Sequence, residues 1–196
     1  MKEIYNSVET VGAFIIYKGK FAFMIGPNKE RNKLGIVRFG GHVEQGESIS
    51  ECLHREMFEE IATTVKIVNS PVTYYKESWE EASIAEVEVP FSLKQQPIAV
   101  VGDNIRATAL FLSYADGELI PSSETHGIIF LNKDEVKKVC TNKFTLKEFL
   151  ERNGELIEKQ KIDYDMEILV GPHLRFLYFL IENNKELIDK YLKRNL

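Results

Sequence analysis

At 196 residues, and about 150 residues per domain, the chain has room for one substantial core and an extension, not a second full domain. Hydrophobic content of 44% and charged content of 28% are ordinary for a globular protein, and a net charge of −5 argues against non-specific nucleic-acid binding as the main activity. Cys52 and Cys140 are too few and too isolated for a disulfide framework or a zinc site, so a buried structural thiol is expected at Cys52. The N-terminus lacks a signal-peptide apolar region, and no stretch approaches 18 apolar residues. A cytoplasmic protein that makes no use of a membrane is the expectation.

Along the chain, Thr10 to Tyr17 and Phe21 to Ile25 are β-branched and aromatic runs around Lys18-Gly19-Lys20, which predicts two strands and a tight turn. A polar loop follows, carrying Lys29, Arg31 and Lys33; a phosphate-facing role and a solvated surface are equal readings of it. Leu34 to Phe39 is a short strand that delivers the chain to Gly40-Gly41, where small residues allow close backbone approach to a ligand. Arg38, just before that turn, is a candidate phosphate contact, although an arginine on a strand is more often an ion-pairing residue. Ser48 followed by Glu51 fits a capping box, so a helix is predicted from near Ser48 to around Ile61.

Val65 to Lys76 reads as strand with a break near Ser70-Pro71, and Ala82 to Val89 as a half-buried strand. Phe91 to Asp103 looks like an insertion or an irregular connection. Ile105 to Tyr114 and Gly127 to Leu131 are further strands. From Lys133 the composition shifts to helix formers. Thr145 with Glu148 gives another capping box, Gly171-Pro172 opens a helix to Glu182, and Lys185 to Arg194 carries an apolar stripe.

The chemistry concentrates in Arg55-Glu56-Met57-Phe58-Glu59-Glu60. On a helix of 3.6 residues per turn, Glu56, Glu59 and Glu60 project within an arc of about 100°. Like charges so spaced repel, and one arginine is a weak answer to three acids. Hard dications such as Mg2+ or Mn2+ take oxygen ligands and suit such a cluster, while the plain alternative is a solvated acidic face with ordinary ion pairs.

With its flanks, the run resembles the signature of the Nudix hydrolases: Gly41, five residues, Glu47, seven residues, then Arg55-Glu56, an aliphatic and a free position, and Glu59-Glu60. The departures are Ala62 at the last glycine position and Thr63 at the last aliphatic one; glycine there commonly forms a left-handed C-cap. The resemblance covers residues 8 to 140. It implies an α+β fold, an α/β/α sandwich with a mixed sheet, in which residues 1–140 form the Nudix domain and residues 141–196 a helical extension packed on it. For that extension, packing on the core is the default and a homodimer interface or an active-site cover the sharper alternative.

The resemblance also implies a divalent-metal-dependent pyrophosphohydrolase that cleaves a diphosphate linkage in a small-molecule nucleoside diphosphate derivative by attack of water. Glu59 and Glu60 would be ligands of Mg2+ or Mn2+, and Glu56 a ligand or the base. Arg55 would orient Glu56 or an adjoining acid, Glu47 would support the loop, and the carbonyl of Gly40 or Gly41 would touch metal. Many members add an acid from a loop before a late strand; Glu124 is the candidate, with Glu118 behind it. Arg38 and Gly40 are the candidate substrate contacts, and Tyr74, Tyr75 and Trp79 could stack on a base, although strand aromatics are more often core. A Nudix-like sensing or interaction module that binds a nucleotide without cleaving it is the alternative; it would have no need of all three carboxylates. Nucleotide sugars, ADP-ribose, dinucleoside polyphosphates and modified nucleoside triphosphates all remain open as substrates.

Overall fold

The structure, a computed structural model, describes residues 2–88, 95–122 and 125–193. Its fold class is α+β, and the chain divides into two compact units. The first comprises Met1–Ile15, Phe39–Glu59 and Thr63–Glu118; the second comprises Ile16–Arg38, Glu60–Ala62 and Leu119–Leu196.

In the first unit, β1 (Val8–Tyr17) neighbours β8 (Ala107–Ala115), followed by β7 (Ala99–Gly102), β5 (Thr73–Lys76) and β6 (Ala85–Val87). β7 pairs with the first half of β8, and β4 (Val65–Val68) pairs with the second half. β5 and β7 run parallel and the β4–β8, β7–β8 and β5–β6 pairs antiparallel, so the sheet is mixed. Val11 and residues 13–15 are fully buried, which is why this strand reads as a continuous apolar run without alternation. Helix α2 (Ile49–Ile61) buries Cys52, Leu53 and Met57 at helical spacing. A short helix α1 (Lys2–Asn6), not foreseen in the sequence, seats Ile4 and Tyr5 against Val100 and Ala107.

The second unit carries β10 (Glu155–Glu158), β9 (Gly127–Leu131), β2 (Lys20–Pro27), β3 (Leu34–Val37) and β11 (Ile168–Val170) in that order. Only β3–β11 is parallel among these pairs. Four helices belong to this unit: α3 (Lys133–Thr141) and α4 (Leu146–Glu151) lie between β9 and β10, and α5 (Pro172–Asn183) and α6 (Lys185–Leu192) come after β11. The capping box at Thr145 is present, with the Thr145 amide donating to Glu148 at 2.8 Å and the Glu148 amide to the threonine hydroxyl at 3.2 Å. Leu174, Phe176, Leu177, Leu180 and Ile181 of α5 are buried, as are Leu187, Ile188, Tyr191 and Leu192 of α6, so the apolar faces of both helices are covered within the chain. Lys133 pairs with Asp189 to tie α3 to α6.

Besides α1, four strands differ from expectation. Residues 98–101, Ile-Ala-Val-Val, are buried, and the stretch is strand β7 inside a sheet where an irregular connection was expected; so short a run leaves no period to read. Residues 91–94 of that connection lie outside the described residues. The C-terminal part, read as helical, also contributes β10 and β11. Each has four or fewer residues, and pairing with β9 and β3 supplies what their composition does not. The strand expected over residues 82–89 is ordered as strand only at Ala85–Val87, and residue 89 is outside the described residues. Among the described residues no helix is long and apolar enough to cross a membrane.

Candidate active site

The loop before α2 is built against β1. The amide of Ala13 donates to the Phe39 carbonyl at 3.1 Å, that of Val11 to the Gly41 carbonyl at 2.9 Å, and that of Val43 to the Glu9 carbonyl at 2.9 Å. Gly40 takes φ +119°, a conformation closed to side chains, which explains glycine there. The loop then closes on itself, with the Glu44 amide donating to Glu47 Oε2 and the Glu47 amide to the Glu44 carbonyl, both at 3.0 Å. Ser48 and Glu51 form the expected box: the Ser48 amide donates to Glu51 Oε2 at 2.8 Å, and the Glu51 amide to the serine hydroxyl at 3.3 Å. Strand, glycine loop and capped helix thus follow in the expected order.

Arg55 is the hub of the site. Its Nε donates to Glu47 Oε1 at 2.9 Å and its Nη2 to Glu47 Oε2 at 3.1 Å, a two-point clamp that joins the helix to its own leading loop. Nη1 donates to Glu56 Oε1 at 2.8 Å and to Glu59 Oε2 at 3.3 Å, and Nη2 also donates to the His42 carbonyl at 2.9 Å. Hydrogen bonding to Arg55 holds the Glu47 carboxyl down at about 2, and the same contacts push the guanidinium above its ordinary range. Cys52 lies in the same knot; its thiol donates to the His42 carbonyl at 3.3 Å, and burial raises it to about 12, so it is the inert structural thiol expected.

Glu56 fills the space over Gly41. A Cβ built there would enter the carboxylate, 2.6 Å from Oε2, so a side chain at position 41 and Glu56 in its present place exclude each other. Glu59 is half-exposed, and Glu60, on the next residue of the helix, is partly buried. The Glu60 carbonyl accepts from the Ser122 amide at 2.9 Å, and the Ile61 carbonyl accepts from Ile120 at 3.1 Å. Ala62 ends the helix at φ +52°, so the left-handed cap usually given to glycine is made by alanine.

Two expectations are modified by these positions. Of the three acids Glu56, Glu59 and Glu60 that one arginine was expected to answer only weakly, Arg55 bonds two, Glu56 and Glu59, and it takes Glu47 of the loop as well because its planar fork presents five donors. Among the described residues there is no ready-made group of three or more His, Cys, Asp or Glu side chains arranged to hold a metal ion. The donor chemistry nevertheless suits a hard dication, because Glu56, Glu59 and Glu60 offer carboxylate oxygens on adjacent turns of one helix. Glu124 lies outside the described residues, and Glu118 is an exposed residue after β8.

Arg38 is buried at 6% exposure, more deeply than a surface arginine, in the second unit. His173, at the start of α5, is held well below its ordinary range, at about 3, by burial and then by the charge of Arg38. That neighbour comes from 135 residues further along the chain, and nothing in the local sequence of either residue signals the pairing. Tyr74 is a buried core residue, and Tyr75 is partly buried against the cluster of Ile4 and Tyr5 while its hydroxyl donates to the Gly102 carbonyl at 3.0 Å.

Comparison with known proteins adds the family model described as the NUDIX domain, which matches residues 8–165. Among solved structures, a NUDIX-family hydrolase from Clostridium perfringens is 19% identical, with 66% of this chain and 83% of that one covered and a TM-score of 0.46. An ADP-ribose pyrophosphatase from Streptococcus suis is 16% identical, covering 65% and 74% with a TM-score of 0.41. A MutT NUDIX hydrolase from Burkholderia pseudomallei is 14% identical, covering 65% and 85% with a TM-score of 0.40. No curated protein matches.

Proposed function

The chain belongs to the Nudix family, and on that premise we propose that it is a divalent-metal-dependent pyrophosphohydrolase acting on a nucleoside diphosphate derivative. The observation that carries this proposal is the Arg55 network, which fixes Glu47, Glu56 and Glu59 around the loop of Gly40 and Gly41. When bound, Mg2+ or Mn2+ would neutralise phosphate oxygens and make water a better nucleophile. Glu59 and Glu60 are the proposed ligands, with Glu56, the Gly41 carbonyl and Glu124 completing the candidate set. The Gly41 carbonyl accepts from the Val11 amide at 2.9 Å and has the Cys52 thiol at 4.0 Å, a weak contact that a metal would replace.

Glu47 does its work through Arg55. Clamped at two points, the guanidinium cannot swing away, and its Nη1 fixes one Glu56 oxygen while the other stays available to a ligand or to the proton of an attacking water. Arg38 and Gly40 are the proposed substrate contacts, the first as a buried cation for a phosphate and the second as backbone that a ligand can approach closely. Residues 1–140 are the proposed catalytic domain and residues 141–196 its extension, and the cytoplasm is the proposed location.

A panel of ADP-ribose, nucleotide sugars, dinucleoside polyphosphates and modified nucleoside triphosphates, each with Mg2+, Mn2+ or a chelator, tests the proposal by nucleotide or phosphate release. Metal-dependent product from at least one compound is expected. Nucleotide binding without product from any of them would favour a sensing module.

A further inference from the structure

We propose that the cleft between α3 and α4, within the second unit, is a binding site for a small zwitterion, an amino acid with an apolar side chain. The proposal stands apart from the pyrophosphohydrolase reading, because no residue that lines this cleft belongs to that site.

Size narrows the choice first. The cleft holds about 200 Å³, below the roughly 300–1,000 Å³ of sites for drug-sized ligands and equal to the liquid volume of about seven waters. A nucleotide exceeds it, and a molecule the size of an amino acid fits. Its floor is the edge of the core: Val139, Phe144 and Phe149 line it and are all buried. Gly154 holds the Phe149 ring in place, since a Cβ there would run into the ring. The turn after α4 is pinned to the same residue, with the amides of Arg152 and Gly154 donating to the Phe149 carbonyl at 3.2 and 3.0 Å. The floor is therefore apolar and fixed before any ligand arrives.

The rim carries charges of both signs that the chain leaves unmatched. The Arg152 guanidinium lies over the Phe144 ring, 4.8 Å from its centroid, and its nitrogens make no hydrogen bond or ion pair among the described residues. Stacking sets the plane of the fork and leaves its donors open to a carboxylate. Asp134 and Lys138 stand four residues apart on α3 with the acid first, the order in which opposite charges pair best, yet they form no ion pair. The capping box of α3 uses only part of its two side chains. The Glu135 amide donates to Asn132 Oδ1 at 2.9 Å and the Asn132 amide to Glu135 Oε2 at 2.7 Å, which leaves Asn132 Nδ2 as a further donor without a partner among the described residues.

Arg152, Lys138 and Asn132 answer a carboxylate, Asp134 answers an ammonium, and the phenylalanine floor answers a short apolar side chain. Inorganic phosphate would leave the floor empty and face two carboxylates. A simple carboxylic acid would leave Asp134 unmatched, and a simple amine would meet two cations. Water satisfies exposed charges but not an apolar hollow between them, so the ligand that uses the whole cleft carries both charges and an apolar part.

Calorimetric titration of the full chain with leucine, phenylalanine and glycine tests the site, alongside 4-methylpentanoate and 3-methylbutylamine, which are leucine without its ammonium and without its carboxylate. Leucine or phenylalanine should bind at least about ten times more tightly than glycine and than either analogue, each of which gives up contacts that the cleft offers. Arg152→Gln should weaken that binding about tenfold. Asp134→Asn should weaken it by a similar factor without weakening 4-methylpentanoate, a split that damage to the fold would not produce. Both side chains are exposed, so the melting temperatures should stay close to that of wild type. Should either variant fail to fold, the comparison of ligands on the wild type decides alone. Absence of binding by leucine and phenylalanine, binding of glycine or of a one-charge analogue as tight as theirs, or an affinity kept in either folded variant overturns the proposal. The titrations contain neither metal nor nucleotide, so a chain that hydrolyses nothing would refute the enzyme and leave the amino-acid site standing.

Discussion

Gly41 and Glu56 compete for one volume: the carboxylate of Glu56 occupies the place a Cβ on Gly41 would take. Gly40 is glycine for its φ of +119°, whereas Gly41 has no left-handed φ and is glycine only because a neighbour needs the room. Gly41→Ala should therefore act by pushing Glu56 away from Arg55 Nη1, breaking a bond of 2.8 Å. A displacement of about 1 Å at a reacting group costs on the order of 100-fold in rate, so kcat should fall by about that much while the melting temperature moves by only a few degrees. Full activity in a folded Gly41→Ala protein would mean that the position of Glu56 is immaterial.

The Glu47–Arg55 clamp should show itself in acid. The Glu47 carboxyl sits at about 2 in the folded chain against an ordinary 4.5, so the unfolded chain takes up the proton first as pH falls. The clamp's contribution is complete above pH 4.5 and is lost as pH drops from 4.5 towards 2. Melting temperatures of wild type and Glu47→Gln, followed from pH 6 down to pH 2.5, should differ by a constant amount above 4.5 and converge below it. A gap that stays constant throughout would remove Glu47 as the residue holding Arg55.

What the sequence disclosed were features whose cause is local. The helix predicted from Ser48 to Ile61 is α2, because Ser48 and Glu51 cap it through neighbouring amides. The Lys18-Gly19 turn has φ of +49° and +74°, the hairpin geometry that its residue types favour. Features caused by distant partners were hidden. β7 and β11 are strands because β5, β8 and β3 complete them. His173 meets Arg38 across most of the chain. The acid motif was legible by spacing, but the sharing of Arg55 among three carboxylates depends on a loop bringing Glu47 back onto the helix.

Glu59 and Glu60 divide a question that spacing alone leaves open. Glu59 bonds Arg55 at 3.3 Å and is half-exposed, so a structural role for its charge is limited to a weak ion pair, worth under about 1 kcal/mol at such sites. Glu59→Gln should leave the melting temperature nearly unchanged while lowering turnover by about 100-fold or more if its oxygen holds metal. Glu60→Gln should do the same, and both should raise the Mg2+ concentration giving half-maximal rate. Unchanged turnover in both variants would refute their assignment as ligands.

Ala62 is one of two positions where the chain departs from the family signature, and the helix ends there as though the glycine were present. An L-residue in the left-handed region costs about 1–2 kcal/mol, and glycine would return about 0.5–1 kcal/mol of that through the greater freedom of its unfolded chain. With φ of +52° already in place, Ala62→Gly relieves strain without asking the backbone to move. A net gain of about 0.5–1 kcal/mol, or roughly 1–3 °C in melting temperature for a chain of this size, is expected by calorimetry. Ala62→Val should fall on the other side of wild type, because a β-branched side chain tolerates the left-handed region worst. If Ala62→Gly melts lower than wild type, the bonds that Ser122 and Ile120 make to the last helical carbonyls, not the cap conformation, decide where α2 stops.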